Sequence, residues 1–412
     1  MKAKRSFVTL VALFGVLGVL GSCSGGESSM TSSEAGSQTG SSTSIAGGTV
    51  SGEKKTLVAA YTSPAELNYM NMRPTYNYYM TYFNFETIEL FDDNTYAFTY
   101  ASSMFSGVIL PDEGNDAAGN ERTNTIEIYY GNYTSKTNDL DEDSVDITLS
   151  VPNRLVVSYD STYFVDTAQW TDAMADAVAV KDGEGNVTTS YTAESYLASK
   201  AFHEKTVMAS KVNYSFDFFA LREDGEEDPD VTLSTQTDGL VAAYLSPASL
   251  SYMNMRPAYN YYITSFAQQQ LLVYEDGTYS MNIYSSQFSG LVLPEEGNDI
   301  VGNERINYTQ KFTGEYTSKT NDLDEDSLDI SLAKPDRALL YFDSTYYLDS
   351  ENWTDEMTEK TSTTDENGAT NSPYENGEDY LAAVAFEARE VLASKVNYSF
   401  DYISDLVDPI LV

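Results

Sequence analysis

Residues 57–81 read LVAAYTSPAELNYMNMRPTYNYYMT, and residues 240–264 read LVAAYLSPASLSYMNMRPAYNYYIT. The second stretch repeats the first at an offset of 183 residues, with Tyr61 matching Tyr244. The register holds as far as Trp170 and Trp353. After a variable loop it continues one residue wider, at Asn213 and Asn397. Solenoid and propeller units repeat every ~20–50 residues, so a period this long means a duplicated domain. Each copy has enough chain for its own hydrophobic core. The copies occupy 55–221 and 239–412, and an acidic linker at 222–238 joins them through the charged run REDGEEDPD, Arg222–Asp230.

Within a copy, β signals dominate. TIELFDDNTYAFTY and LLVYEDGTYSMNIY are apolar-alternating runs interrupted by Asp93-Asn94 or Asp276-Gly277. Asn and Gly tolerate positive φ, so both runs predict hairpins with tight turns. Ser144–Leu149 and Leu328–Leu332 alternate strictly, as half-buried antiparallel strands do. Pro152-Asn153 and Pro335-Asp336 supply turns before further strands at Leu155–Tyr159 and Ala338–Phe342. One helix is expected late in each copy, over Ser195–Lys211 and Asp379–Lys395, where Leu197, Phe202 and Val207 lie near helical spacing. VNYSFDF and VNYSFDY then alternate as closing strands. The expected fold is mainly β: two tandem homologous antiparallel β-barrels, each with one helix before the last strand, with a β-sandwich as the alternative. The order of strands, helix and last strand resembles a lipocalin or calycin barrel. The Gly-x-Trp signature of lipocalins is missing near the first strand, and its nearest echoes, Gly131-Asn132-Tyr133 and Gly314-Glu315-Tyr316, fall in a middle strand.

Composition narrows function. The 412 residues carry a formal net charge of −40, with one Cys, one His, two Trp and 33 Tyr. Nucleic-acid binding draws its affinity from Lys and Arg neutralising phosphates, which this charge opposes. One Cys cannot make an internal disulfide or a Cys-rich metal site. His203 is matched by Glu387 in the second copy, so no role shared by both copies rests on it.

The first 22 residues have the parts of a secretory signal: Lys2, Lys4 and Arg5, an apolar run from Phe7 to Leu20, and a small-residue site. Leu20-Gly21-Ser22-Cys23 resembles the lipobox of bacterial lipoproteins, which implies cleavage before Cys23 and acylation of its thiol. Residues 23–54 would then be a lipidated Cys and a Ser/Gly-rich flexible linker, because this stretch lacks the apolar residues to bury a core. A lipid so attached gives a membrane anchor.

Two sets of residues could carry chemistry. In YMNMRPTYNYY and YMNMRPAYNYY, Tyr69, Met72, Arg73, Tyr76 and Tyr79 recur as Tyr252, Met255, Arg256, Tyr259 and Tyr262. In the first copy the block follows Ser63-Pro64-Ala65-Glu66, a capping-box pattern that predicts a helix start. Aromatic faces, thioethers and a fixed cation could line a mouth for a small molecule or glycan, or plug one end of the barrel. TNDLDEDS occurs twice, placing Asp139, Asp141 and Asp143, and Asp322, Asp324 and Asp326, at alternate positions. This matches the first ligands of a Ca²⁺ loop. Ser144 in place of the turn Gly excludes an EF-hand, so any Ca²⁺ site needs further donors, for which LPDEGNDAAGNER and LPEEGNDIVGNER are the obvious source. The sequence therefore predicts an envelope lipoprotein with duplicated, non-enzymatic domains that bind a small molecule, a glycan or an envelope protein. A glycan-acting enzyme with paired carboxylates and a structural or adhesive surface protein are the alternatives.

Overall fold

A computed structural model describes residues 55–402 apart from 64–65, 72–77, 110–116, 160–161, 218, 224, 247–248, 255–260, 293–299, 343–345 and 365–369. The first copy comprises β1 (Leu57–Thr62), β2 (Glu66–Asn71), β3 (Tyr78–Phe91), β4 (Thr95–Ile109), β5 (Ala117–Thr137), β6 (Ser144–Leu149), β7 (Arg154–Tyr159), β8 (Tyr163–Asp166), α1 (Asp172–Val178), β9 (Val180–Lys181), β10 (Val187–Thr189), α2 (Ala193–Lys200) and β11 (Lys205–Ser210). The second repeats it as β12 (Leu240–Leu245), β13 (Ser249–Asn254), β14 (Tyr261–Tyr274), β15 (Thr278–Val292), β16 (Ile300–Thr320), β17 (Ser327–Leu332), β18 (Arg337–Phe342), β19 (Tyr346–Asp349), α3 (Asp355–Thr361), β20 (Thr363–Thr364), β21 (Thr370–Asn371), α4 (Gly377–Val384), β22 (Arg389–Ser394) and β23 (Phe400–Tyr402).

The chain is mainly β, and each copy is a curled antiparallel half-barrel. In the first, the order is β1-β3-β4-β5-β6-β11, with β2 beside β3 and the β7–β8 pair beside β5. Single bridges from Ser215 to Thr62 and from Phe216 to Ala209 then connect the first strand to the last. The predicted hairpin turns are present, with Asn94 at φ 62° and Gly277 at φ 83°.

Three local expectations are corrected. The late helix is shorter than its periodicity suggests: α2 ends at Lys200, and Lys205–Ser210 pairs with β6 as a strand. Val207 there points inward by strand alternation, which coincides with the helical period over so short a run. A second helix per copy, α1 or α3, begins at the Trp-Thr-Asp triplets, where Thr171 and Thr354 accept from the N–H groups of Met174 and Met357. Finally, the capping-box pattern before Glu66 opens strand β2, not a helix, because pairing with β3 takes up its backbone groups.

Inside the first half-barrel, Phe98, Phe202 and Phe219 meet with ring centroids 4.8–5.9 Å apart. They fill the interior together with Ile88, Tyr96, Tyr129, Leu155 and Leu197. The interior at this level is thus a packed core. Gly131 makes it possible: a Cβ there would lie 2.7 Å from Tyr96 Cε1, whose ring is fully buried and whose hydroxyl donates to the Ser150 carbonyl at 2.9 Å. Gly314 stands in the same relation to Tyr279. Gly131→Ala is expected to destabilise the chain by about 1–3 kcal/mol in a denaturant titration, because neither the ring nor its anchoring bond can move freely. A midpoint unchanged from wild type would refute that packing role.

The linker does not hang free. Val231 is buried against the first core, Ser234 N–H donates to the Asn153 carbonyl at 2.7 Å, and Asp238 pairs with Arg154 at 2.9 Å. His203, expected on the helix, lies past its end, 3.1 Å from the Glu227 carbonyl.

Residues 54–404 belong to one compact unit, and inside it the outer faces of the two sheets are packed together. Five cross-strand neighbours, Phe85, Ala101, Ile126, Ser158 and Phe164, form one row on the first face. The equivalent row on the second is Gln268, Tyr284, Thr309, Tyr341 and Tyr347. Contacts across this seam are reciprocal. Leu57 and Ala60 join the second copy's core, while Leu240 and Ala243 pack with first-copy side chains. Tyr214 lies 5.9 Å from Tyr347, and its counterpart Tyr398 lies 5.6 Å from Phe164. Such reciprocity is the signature of an isologous interface, here formed within one chain. Each copy therefore has its own core and shares another.

Candidate ligand site at the barrel opening

Beyond the aromatic core, the inward face of the first sheet turns polar. Glu86, Tyr100 and Glu127 are successive cross-strand neighbours on β3, β4 and β5, so their side chains share one face. Helix α2 brings Lys200 over this row. Thr192 and Ser195 close a capping box at its N-terminus, and Lys200 in its last turn suits the negative end of the helix dipole. Lys200 Nζ donates to Glu127 Oε1 at 3.1 Å, and Tyr129 Oη donates to Glu127 Oε2 at 2.5 Å. Glu127 is nearly buried, whereas the Lys200 side chain is 43 % exposed. Around them stand the half-buried Tyr159 and Tyr163, stacked at 5.0 Å, and Trp170 and Tyr191, each about a ring's width from the buried Tyr196 at 5.5 and 5.6 Å.

The electrostatics follow from this packing. The neighbouring Glu127 carboxylate raises the Lys200 pKa despite opposing burial, so the amine stays an ammonium and is no nucleophile. Burial, reinforced by Glu127, holds the Tyr129 phenol well above its ordinary value, so it remains a donor. The group presents aromatic faces, phenols and a half-exposed ammonium. These are the elements of a recognition site for an amphipathic or sugar-like ligand.

The second copy keeps the tryptophan and its two tyrosines and drops the charges. Trp353 and Tyr374 pack on Tyr380 at 5.5 and 5.3 Å. Glu86, Tyr100, Glu127, Tyr129 and Lys200 are replaced by Gln269, Ile283, Gln310, Phe312 and Val384 at the equivalent places in the same strands and helix.

Tyr69 and Tyr79 lie on the β2–β3 pair and Tyr252 and Tyr262 on the β13–β14 pair, with Asn71 opposite Tyr79 and Asn254 opposite Tyr262. Met72, Arg73, Tyr76, Met255, Arg256, Tyr259 and Cys23 lie outside the described residues. Asp139, Asp141 and Asp143 sit on the exposed β5–β6 turn and Asp322, Asp324 and Asp326 on its equivalent. There Asp141 accepts from Asp143 N–H at 3.1 Å and from Ser144 Oγ at 2.6 Å, and Asp139 pairs with Lys136 at 3.3 Å. The Ser144 hydroxyl and the Asp143 N–H hold the Asp141 carboxyl below its usual range, as Ser327 and Asp326 do for Asp324.

Of the segment suggested as the source of further Ca²⁺ donors, residues 110–116 lie outside the described residues. Its described part, residues 117–122, opens β5, and Asp139 follows the far end of that strand. Among the described residues, no three His, Cys, Asp or Glu are grouped to hold a metal ion. Thermal melts in Ca²⁺ and in chelator are expected to superimpose, and a higher melting temperature in Ca²⁺ would show this reading of the turns to be wrong.

No family model, curated protein or solved structure matches the chain.

Proposed function

We propose that the protein is a lipid-anchored envelope lipoprotein, tethered through acylated Cys23 and its Ser/Gly-rich stretch, whose first copy binds a small amphipathic or sugar-like ligand at the barrel opening. The observation carrying this reading is the Glu127–Lys200–Tyr129 cluster and its absence from the second copy. A nearly buried carboxylate is costly to desolvate, and an apolar or neutral set of similar volume generally folds as well or better. The second copy builds the same strands and helix with Gln310, Val384 and Phe312, so the fold itself does not call for the charges. Binding is favoured over glycan hydrolysis because Glu127 is already engaged by two donors, whereas a general acid must give its proton to the substrate.

Trp170 and Trp353 are the chain's two tryptophans, so Trp353→Phe leaves Trp170, at the site, as the sole tryptophan reporter. Its emission is expected to shift on titration with envelope glycan fragments. The response should vanish in Glu127→Gln/Lys200→Val, which installs the second copy's residues and should keep the fold. A response that survives this double substitution would place the ligand elsewhere. Anchoring is tested separately: labelled palmitate should enter the wild-type chain and not Cys23→Ser.

A further inference from the structure

The seam between the two sheets holds polar groups of two kinds. One kind is fully engaged. Gln270 Nε2 donates to Ser158 Oγ across the seam at 2.9 Å, Asn282 Nδ2 donates to Gln270 Oε1 at 3.2 Å, and Ser280 Oγ donates to Asn282 Oδ1 at 3.2 Å. The other kind lies one row along the same face. Gln268 is 0 % exposed and Thr309 is 4 % exposed, yet neither amide atom of Gln268 nor the Thr309 hydroxyl has a hydrogen-bond partner in the protein.

Their position fixes where they point. Gln268 on β14 is opposite Tyr284 on β15, which is opposite Thr309 on β16, which is opposite Tyr341 on β18. Cross-strand neighbours share a face, and this face meets the first copy. Tyr284 packs edge-on against Phe85 at 6.3 Å, and Tyr341 Oη donates to Glu89 Oε1 at 2.7 Å. In the first-copy row that Tyr284 meets, Phe85, Ala101 and Ile126 carry no donor or acceptor side chain, and Ser158 is taken up by Gln270.

Buried amides and hydroxyls in folded proteins are almost always hydrogen-bonded, to ordered water where protein groups do not reach. We infer that the seam is a binding site for internal water, held by the Gln268 carboxamide and the Thr309 hydroxyl. One strand, β15, lies between these two side chains, about 10 Å of sheet. Water fits better than a larger guest, since both groups lie in a closely packed layer between two sheets and neither is charged. This site is independent of the opening occupied by Glu127 and Lys200.

The test uses the full chain and water itself as the probe. Water ¹⁷O relaxation dispersion is compared among wild type, Gln268→Leu, Thr309→Val and the double variant. Wild type should show more long-lived internal waters than the double variant, with each single variant losing part of the difference. An identical count in all four proteins overturns the proposal. Should Gln268→Leu fold poorly, the near-isosteric Thr309→Val decides alone: loss of at least one long-lived water supports the site, and no loss overturns it. A crystal structure with a dry seam around Gln268 would overturn it as well.

Discussion

Glu89→Ala should destabilise the chain by about 3 kcal/mol, read as a lower guanidinium midpoint, because it leaves Lys311 without its counter-charge inside the seam. Lys311 Nζ lies 3.1 Å from both Glu89 carboxylate oxygens, and Tyr341 Oη donates to one of them at 2.7 Å. Glu89 is nearly buried and Lys311 only 23 % exposed, so solvent screens the pair weakly. The protein carries its own control. At the mirrored positions the three residues are Leu272, Ile128 and Ser158, and there the seam closes without charge. Glu89→Leu/Lys311→Ile/Tyr341→Phe should therefore recover most of the lost stability, to within about 1 kcal/mol of wild type, since it replaces all three partners together and strands no buried phenol. If the single substitution leaves the midpoint where it was, the pair contributes nothing and the seam owes its pairing to packing alone.

The second large effect is at Arg154. Its guanidinium makes a two-pronged contact with Asp166, Nε to Oδ1 at 2.9 Å and Nη2 to Oδ2 at 2.6 Å, and Nη2 also reaches Asp238. Both side chains of the first pair are buried, and the guanidinium lies over the Tyr130 ring at 5.0 Å. Arg154→Ala should cost about 3–5 kcal/mol by stranding Asp166 and releasing the linker. Arg154→Lys should rescue only part of this, as an ammonium cannot reproduce the planar fork. The same fork recurs between Arg337 and Asp349. Burial pushes the Asp349 carboxyl up, but hydrogen bonds from Arg337 and Asn352 outweigh it and the net shift is downward. A carboxyl with a lower pKa folded than unfolded binds fewer protons when folded. Its stabilisation is thus complete above about pH 4 and is lost as pH falls through the folded value. Wild-type stability should drop with acid in that range, and Arg337→Met should drop less steeply. Parallel pH profiles for the two proteins would remove Asp349 from the acid response.

Much of the β architecture was legible in the sequence because it was written in period two. Ser144–Leu149 lies where alternation put it, Leu155–Tyr159 follows the turn expected at Pro152-Asn153, and Asp93-Asn94 and Asp276-Gly277 mark real turns. The helix over Ser195–Lys211 was overextended because inward residues of a short strand can mimic helical spacing. The helices at Asp172 and Asp355 were missed, although Thr-Asp after each tryptophan is a cap followed by a first-turn acid. The site at the opening was hidden for a different reason. Glu86, Tyr100, Glu127 and Lys200 lie far apart in sequence, and only sheet register brings them into one row under one helix. One signal was present: comparing the copies position by position shows Glu127 and Lys200 changing together to Gln310 and Val384, as the members of an ion pair must. The near-identical blocks carry no comparable signal, since similarity between duplicates says little about use.

The reciprocal seam has a consequence for how much it has to contribute. Two separate molecules meeting through this face would surrender translational and rotational freedom, a cost of several kcal/mol that well-packed apolar contact would have to repay. Joined end to end and clamped by Asp238 on Arg154, the halves meet that cost once, in the folding of a single polypeptide. A surface relieved of that burden can keep glutamine, asparagine and serine where a free dimer would need leucine.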